Sequence, residues 1–253
     1  MELAKFLNIG SSQKTQNNFF EFQFWGRIPY VEALKRQLEL SEKRKKDEIP
    51  DTIVFCEHEP VVTRGRGSQK NPSLNYFEPV HELSWNNSRV PVYDVQRGGL
   101  ETLHAPGQLV IYPIIFVNPS RRLLDSSGHP LGWGVHGLMR GLEEIIIEWL
   151  REDFGIEAFA QQGKTGVWVR PQNSTLKEPL KIASLGVAVQ RWVSFHGASI
   201  NLKMEPGIWS LIQPCGFGPE IMTDLWSQVG VELSPEQAAM QLINKFKLLV
   251  TPK

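Results

Sequence analysis

The chain has little cysteine: two residues, Cys56 and Cys215, in 253. Two are too few for a disulfide framework, and their spacing fits neither a zinc ribbon nor a finger, so a reducing compartment is expected. Charge-free apolar runs long enough to cross a bilayer are missing, and the N-terminal MELAKFLNIGSSQKTQNNFFEFQFWG lacks the apolar segment of a secretory signal. A cytoplasmic protein with no membrane partner is the expectation. Excess charge is missing as well, since 27 Lys+Arg balance 27 Asp+Glu. That removes the basic footprint of a protein that binds nucleic acid nonspecifically. Neither HExxH nor another metal-ligand spacing occurs, and there is no GxxxxGK[ST], so neither a metal site nor a Walker-type nucleotide site is expected.

What remains is an ordinary globular composition, 41% hydrophobic and 21% charged, without an internal repeat. It supports a substantial core, and one domain over residues 1–253 is expected. Three segments carry helix signals. Pro29 opens a stretch in which Tyr30, Val31, Leu34 and Leu38 share a face, before the mixed-charge run Ser41 to Glu48, a solvated helix end and loop. From Trp133 to Leu150, apolar residues recur at helical spacing with His136, Arg140, Glu144 and Glu148 on the other side. Ser234 and Gln237 form a capping box around Pro235, ahead of Leu242, Ile243 and Phe246.

Strand-like runs lie between: Thr52 to Cys56, Val90 to Val95, Gln108 to Phe116, Val167 to Arg170, Gly186 to Val189, Arg191 to Phe195 and Ala198 to Leu202. Leu109 to Phe116 is apolar on both faces, as in a central strand covered on two sides. The stretch from Gly166 to Leu202 has strands with few helix signals between them, which predicts an antiparallel meander. An α+β fold with a mixed sheet follows.

Four segments are more particular than packing requires: RGGLETLHAPGQ (97–108), GVWV (166–169), KIASLG (181–186), and FHGASINL (195–202) with IQPCG (212–216). The glycines after Arg97 suit a backbone that approaches a ligand closely, but for a bare RGG the preferred reading is a plain hairpin connection between the strands at Val90 and Gln108. The RGRG of Arg64 to Gly67 is weaker. Cys215 lies between Pro214 and Gly216, whose irregular backbone would expose a sulfur. A lone cysteine is usually a small buried hydrophobe, which is the assignment for Cys56 in IVFC. Lys181 opens an apolar strand run. Most lysines there point to water, but one facing inward could take a proton from a thiol and return it to a leaving group. His104 and His196 sit in glycine-containing loops and could line a site. His136 is expected in solvent, and His58, His81 and His129 in loops.

In this order the segments resemble the lipoyl(octanoyl) transferase family, also called lipoate-protein ligase B or octanoyl-[acyl-carrier-protein]:protein N-octanoyltransferase. The resemblance runs from GRIPYVEALKRQ through CEHEPVVTRGRG, RGGLETLHAPGQLVIYP, GVWV and KIASLG to FHGASINL and PCG. It implies a biotin/lipoate protein ligase-like catalytic domain, a mixed sheet flanked by helices. It also implies a Cys/Lys dyad, in which Cys215 carries the acyl thioester and Lys181 is its acid/base partner. The implied substrate contacts are Arg97, Gly98, Gly99, Leu100, Glu101, Thr102, Leu103 and His104, then Ser184, Leu185 and Gly186, then Gly197, Ala198 and Ser199. The donor would be octanoyl-acyl carrier protein, with its phosphopantetheine. The recipients would be lipoyl domains of 2-oxoacid dehydrogenase complexes and the glycine cleavage H protein, without ATP, metal or another cofactor.

The sequence departs from the family pattern TYHGPGQ at two positions, Leu103 for tyrosine and Ala105 for glycine. Losing the tyrosine removes an aromatic wall and a hydroxyl, and Ala105 denies that position any backbone conformation only glycine tolerates, so a change in acyl-chain length or carrier preference is expected. An ATP-dependent lipoate or octanoate ligase of the same fold, and a noncatalytic protein that binds acyl carrier or lipoyl domains, are the alternatives.

Overall fold

The computed structural model describes residues 20–69, 75–117, 122–124, 130–171, 178–213 and 218–248. A seven-stranded mixed sheet runs β1 (Phe20–Arg27), β2 (Asp51–Glu57), β7 (Gln108–Ile114), β13 (Val193–Asn201), β12 (Leu180–Gln190), β11 (Lys164–Val169) and β10 (Ala158–Gln161). Only β1 and β2 are parallel; the rest of the ladder is antiparallel. The meander expected over Gly166 to Leu202 is therefore present. Its two final strand-like runs are one strand, β13, and β12 begins at Leu180 rather than Gly186. The edge strand β1 is not among the expected strands, although Phe20, Phe22 and Phe24 alternate with Glu21 and Gln23 at the strand period and pack against the large core.

A smaller sheet lies beside the first, in the order β4 (His81–Trp85), β5 (Ser88–Asp94), β3 (Val61–Arg64) and β6 (Glu101–His104). A short hairpin, β8 (Arg122–Leu124) and β9 (Pro130–Trp133), precedes the long helix. The RGG segment is thus not a hairpin connection between the strands at Val90 and Gln108. Those strands belong to different sheets, and β6 lies between them in sequence.

The helices cover the large sheet on both faces. Helix α1 (Tyr30–Lys45) packs on β13 and β7, with Ala33 among the buried residues around Val54, Val110 and Tyr112. The opposite face is covered by α2 (Gly134–Phe154) and α4 (Pro235–Leu248), whose Leu142, Ile146, Trp149, Leu242 and Phe246 close the largest core over Ile53, Phe55, Leu109 and Ile111. Burial of this many large side chains is the main stabilising term, at roughly 1.5–3 kcal/mol for each. A short helix, α3 (Leu225–Val229), is capped by Asp224, which accepts from the Ser227 amide at 2.7 Å. The capping box at α4 is formed: the Ser234 amide donates to Gln237 Oε1 at 2.9 Å and the Gln237 amide to Ser234 Oγ at 3.2 Å.

The buried strand β7 carries a proline, and that proline shapes the neighbouring strand. Pro113 has no amide hydrogen, so it cannot donate to a ladder. Pairing of β13 with β7 stops at Ala198 and Ile111, and His196 takes a left-handed backbone at φ 56°. Its amide turns to α1 and donates to Gln37 Oε1 at 2.9 Å. Ser194 then bridges the gap: its hydroxyl donates to the Pro113 carbonyl at 2.6 Å and receives the Ile115 amide at 3.0 Å. The side chain of His196 and the glycine after it are placed by this interruption.

Candidate active site

A cavity of about 350 Å³, its open mouth included, lies between the α1-facing side of the large sheet and β6 of the small one. It is lined by Arg97, Thr102, His104, Ser184 to Gly186 and His196 to Ser199, together with Tyr30, Thr63, Val110 and Tyr112. Register explains the convergence. Ser199 pairs with both Val110 and Ser184, and Gly197 with Gly186, so these side chains share the face toward α1. Leu185 pairs with Ala198, and both belong with the large core on the opposite face, so they offer the cavity their backbone. Gly197 is the closest approach: a Cβ there would overlap the Ile111 carbonyl and lie 2.6 Å from Pro113 Cδ.

The same alternation corrects the expectation for the first stretch. On β6, Thr102 and His104 turn to the cavity, whereas Leu103 is fully buried in the small core with Val62, Val92 and Met204. Leu103 therefore does not line this cavity, and its replacement of tyrosine does not reshape it. Ala105 is also in the small core, and its φ is not positive, so the position does not need glycine. Leu100 is exposed, and Glu101 lies opposite Arg64; neither lines the cavity. Gly98 and Gly99 are engaged elsewhere, the Gly98 amide donating to the Val187 carbonyl at 3.3 Å and the Gly99 carbonyl receiving the Gly67 amide at 3.0 Å.

Arg97 lines the cavity and ties its loop together. Its Nη1 donates to the carbonyls of Gly98 (2.9 Å) and Leu100 (2.8 Å), and its Nη2 to the carbonyl and hydroxyl of Thr63 (2.7 and 2.8 Å). RGRG, weakly weighted on sequence, is the other half of this clasp: Gly65 and Arg66 donate to the carbonyls of Leu100 and Arg97 at 3.0 and 3.1 Å. The planar guanidinium spans acceptors that one ammonium could not. Arg97→Lys is expected to cost roughly 2–4 kcal/mol of unfolding free energy, because buried carbonyls lose charge-assisted donors. Urea denaturation reads this, and an unchanged midpoint would show that the clasp is dispensable.

Two buried histidines, His104 and His196, line the cavity, and a third, His58, packs behind it against Tyr30, His104 and Tyr112. His104 donates from Nδ1 to Gln108 Oε1 at 2.7 Å, which leaves Nε2 as its acceptor when neutral. Burial, reinforced by His58 and Arg97, lowers its pKa to about 3. Burial and then Arg97 lower His196 to about 3. His58, expected in a loop, is buried: Nδ1 donates to the Ile28 carbonyl and Nε2 accepts from Tyr112, both at 2.7 Å. Burial lowers it to about 4, against the opposing pull of the Ile28 carbonyl and Glu57. All three are neutral near pH 7, so the positive charge here is Arg97. His136 is exposed as expected, and His81 is an exposed strand residue in β4. His129 lies outside the described residues.

Lys181 is 2% exposed, although it sits near a strand end. It is three positions from Ser184, an odd offset, which in a regular strand would put the two on opposite faces. A bulge changes this. Val167 pairs with Ala183 but Trp168 with Lys181, so Ile182 is an extra residue. Val167, Ile182 and Ala183 all enter the large core, while Lys181 shares the face of Trp168, its Nζ 5.5 Å from that ring's centroid. Lys181 is thereby returned to the cavity side of the sheet, where Nζ donates to the Thr165 carbonyl at 2.7 Å.

Cys215 lies outside the described residues. From Gly218 the chain is described again: Met222 forms a parallel bridge with Lys181, and the Thr223 amide donates to the Lys181 carbonyl at 3.0 Å. From Thr223 a chain of polar contacts runs back to the cavity. Its carbonyl receives Asn201 Nδ2 (2.8 Å), Asn201 Oδ1 receives Gln108 Nε2 (2.9 Å), and Gln108 holds His104. Gln108 and Asn201 fall inside the segments 97–108 and 195–202 but were given no role of their own on sequence; their signal was one amide side chain at or near the end of each segment.

Residues 29–247 match the family model described as the lipoyl protein ligase A/B catalytic domain. The chain belongs to the octanoyltransferases of that family. It is 36% identical to the octanoyltransferase of Bdellovibrio bacteriovorus over 225 residues, 84% of this chain and 90% of that protein. With the octanoyltransferase of Alkaliphilus metalliredigens the identity is 34%, over 81% of this chain and 83% of the relative. The family makes the chain an acyltransferase. Among solved structures, the bipartite lipoate protein ligase of Thermoplasma acidophilum aligns with a TM-score of 0.56 at 15% identity, over 89% of this chain and 81% of that one. Lipoate-protein ligase A bound with ATP aligns with 0.56 at 14% identity, over 89% and 83%. These two share the fold expected from the sequence, a mixed sheet flanked by helices.

Proposed function

We propose that this octanoyltransferase takes the octanoyl group from octanoyl-acyl carrier protein onto Cys215 as a thioester and passes it to a lysine amine of a lipoyl domain, with Lys181 as acid/base partner. The observation that carries this reading is the placement of Lys181. A bulge turns its amine to the cavity face, and its backbone is bonded to Met222 and Thr223, which follow Cys215 in the chain.

In the first step the Cys215 thiol gives its proton to the Lys181 amine and attacks the donor's carbonyl carbon. The tetrahedral intermediate collapses as the C–S bond to pantetheine breaks, and the ammonium returns the proton to the leaving thiolate. In the second step the recipient amine attacks the enzyme thioester, loses a proton to Lys181, and the amide forms as Cys215 leaves. Thioester exchange is nearly balanced and amide formation is downhill, so no ATP is required. The reading requires an apolar path for the aliphatic chain, each buried CH₂ contributing roughly 0.8 kcal/mol.

Incubation with octanoyl-acyl carrier protein alone is expected to add one octanoyl mass to the intact enzyme, and addition of a lipoyl domain to discharge it. Cys215→Ser should form no such adduct, and Lys181→Ala should slow its formation by roughly 10²–10⁴-fold, the usual range for a lost general acid/base. Strict dependence on ATP, or transfer by Cys215→Ser, would reject the mechanism.

A further inference from the structure

The Thr165–Gly166 peptide unit stands across the large sheet. Its carbonyl oxygen receives Lys181 Nζ at 2.7 Å on the cavity face, and its N–H donates to Glu143 Oε1 at 3.0 Å, from helix α2 on the opposite face. The described chain has no cis peptide bond, so the two ends of this unit point in opposite directions, one to each side of the sheet. The turn out of the ladder falls where the β10–β11 register shifts, between Ala160 and Gln161, and Gly166 adopts φ 126°. Glu143 is 1% exposed, and its second oxygen pairs with Arg140.

A carboxylate in a helix face that otherwise supplies Leu142, Ile146 and Trp149 to the core is costly to bury unless it has a structural partner. Its partner is the peptide whose other end holds the lysine. The polarity matches at both junctions: carboxylate to N–H, and carbonyl to amine. Each hydrogen bond polarises the peptide in the sense that strengthens the other.

Building on the assignment of Lys181 above, we infer that Glu143 is a positioning residue for that lysine, gripping the 165–166 peptide from beneath the sheet so that its carbonyl fixes the amine at the reacting face. Glu143 itself touches no substrate. Its effect is on the orientation of Lys181, and therefore on turnover rather than on the affinity for either carrier.

The test compares Glu143→Leu, which cannot accept the Gly166 amide, with Glu143→Gln, which can. Two readouts are needed: kcat and KM for octanoyl transfer, and the rate at which Lys181 in the folded protein is reductively methylated, followed by peptide mass. Glu143→Leu is expected to lower kcat by about 10–100-fold with KM changed less than about twofold, the signature of a lost transition-state interaction, and to speed methylation of Lys181 several-fold. Glu143→Gln should restore both to near wild type. If the leucine variant does not fold, Glu143→Ser, too short to reach the amide but roomy enough for water, takes its place. Unchanged Lys181 methylation in a folded leucine or serine variant overturns the inference, as does a glutamine variant no better than leucine. Lys181→Ala separates the two ideas: normal transfer by that variant removes the lysine's catalytic role, while methylation still reports whether Glu143 positions it.

Discussion

Gly166→Ala is expected to cost about 2–4 kcal/mol of stability and at least about 100-fold in octanoyl transfer, through overpacking and a strained backbone acting together. A Cβ on Gly166 would lie 2.5 Å from Lys181 Cε and 2.5 Å from the Ala183 carbonyl oxygen, inside any tolerable contact. Neither neighbour can yield cheaply. Ala183 is held in the β11–β12–β13 ladder, and the Lys181 stem is buried with its amine already bonded to Thr165. At φ 126° the backbone is also one that residues with a side chain rarely adopt. Relief would come from swinging the peptide back toward a regular strand, which would withdraw the Thr165 carbonyl from Lys181 and the Gly166 amide from Glu143. Thermal denaturation and the acyl-transfer assay together decide the matter. A variant that is destabilised yet transfers octanoyl at the wild-type rate would show that Lys181 can move without consequence, and would sink its catalytic assignment.

Acidification is expected to unfold the protein between pH 6.5 and about 4.5. His58, His104 and His196 are held neutral in the folded state with pKa values of about 4, 3 and 3, against an ordinary value of 6.5. Above pH 6.5 both folded and unfolded chains carry these rings neutral, and their contribution to stability is fully present. As the pH falls below 6.5 the unfolded chain takes up protons that the folded chain refuses, so the unfolded state gains. Well inside the window each ring costs about 1.4 kcal/mol per pH unit, about 4 kcal/mol per unit for three, against a typical total of 5–15 kcal/mol. The midpoint of urea unfolding should therefore fall steeply from pH 6.5 to 5, and replacement of one of these histidines by glutamine should reduce the slope by about a third. A midpoint level across that range would contradict the burial of all three.

Much of the frame could be read from local pattern. The helical faces at Tyr30, Val31 and Leu34 and at Leu142, Ile146 and Trp149 sit where their periodicity put them, and the capping box at Ser234 and Gln237 starts a helix as its spacing requires. The antiparallel meander and the two-sided burial of β7 followed from short runs with turn residues between them. Segments 97–108, 181–186 and 195–202 each send residues to one cavity, while GVWV does not line it and Cys215 lies outside the described residues; the exception within the first segment is Leu103, which alternation along β6 sends into the small core. That exception was not legible. Side-chain direction in a four-residue strand depends on which of its two faces meets another sheet, and the small sheet was not foreseen. Tyr30, Thr63 and Tyr112 were missed as site residues for a related reason, since each is an ordinary member of its own helix or strand and meets the cavity only through packing.

By itself, then, the chain's sequence determined most of the element types, the mixed helical and strand character, and the segments that supply most of the cavity's lining. Periodicity and turn chemistry are local, and they need no knowledge of neighbours. Only the tertiary structure decided which face the chemistry occupies. Counting by twos puts Lys181 on the wrong side of the sheet from Ser184, and a bulge at Ile182, visible only when β11 is laid against β12, brings it back. Pro113 likewise acts on His196 across a strand pair, and Glu143 acts on Lys181 through the thickness of the sheet. Register is a relation between segments distant in the chain, and it is set by which hydrogen bonds and side chains those segments can share.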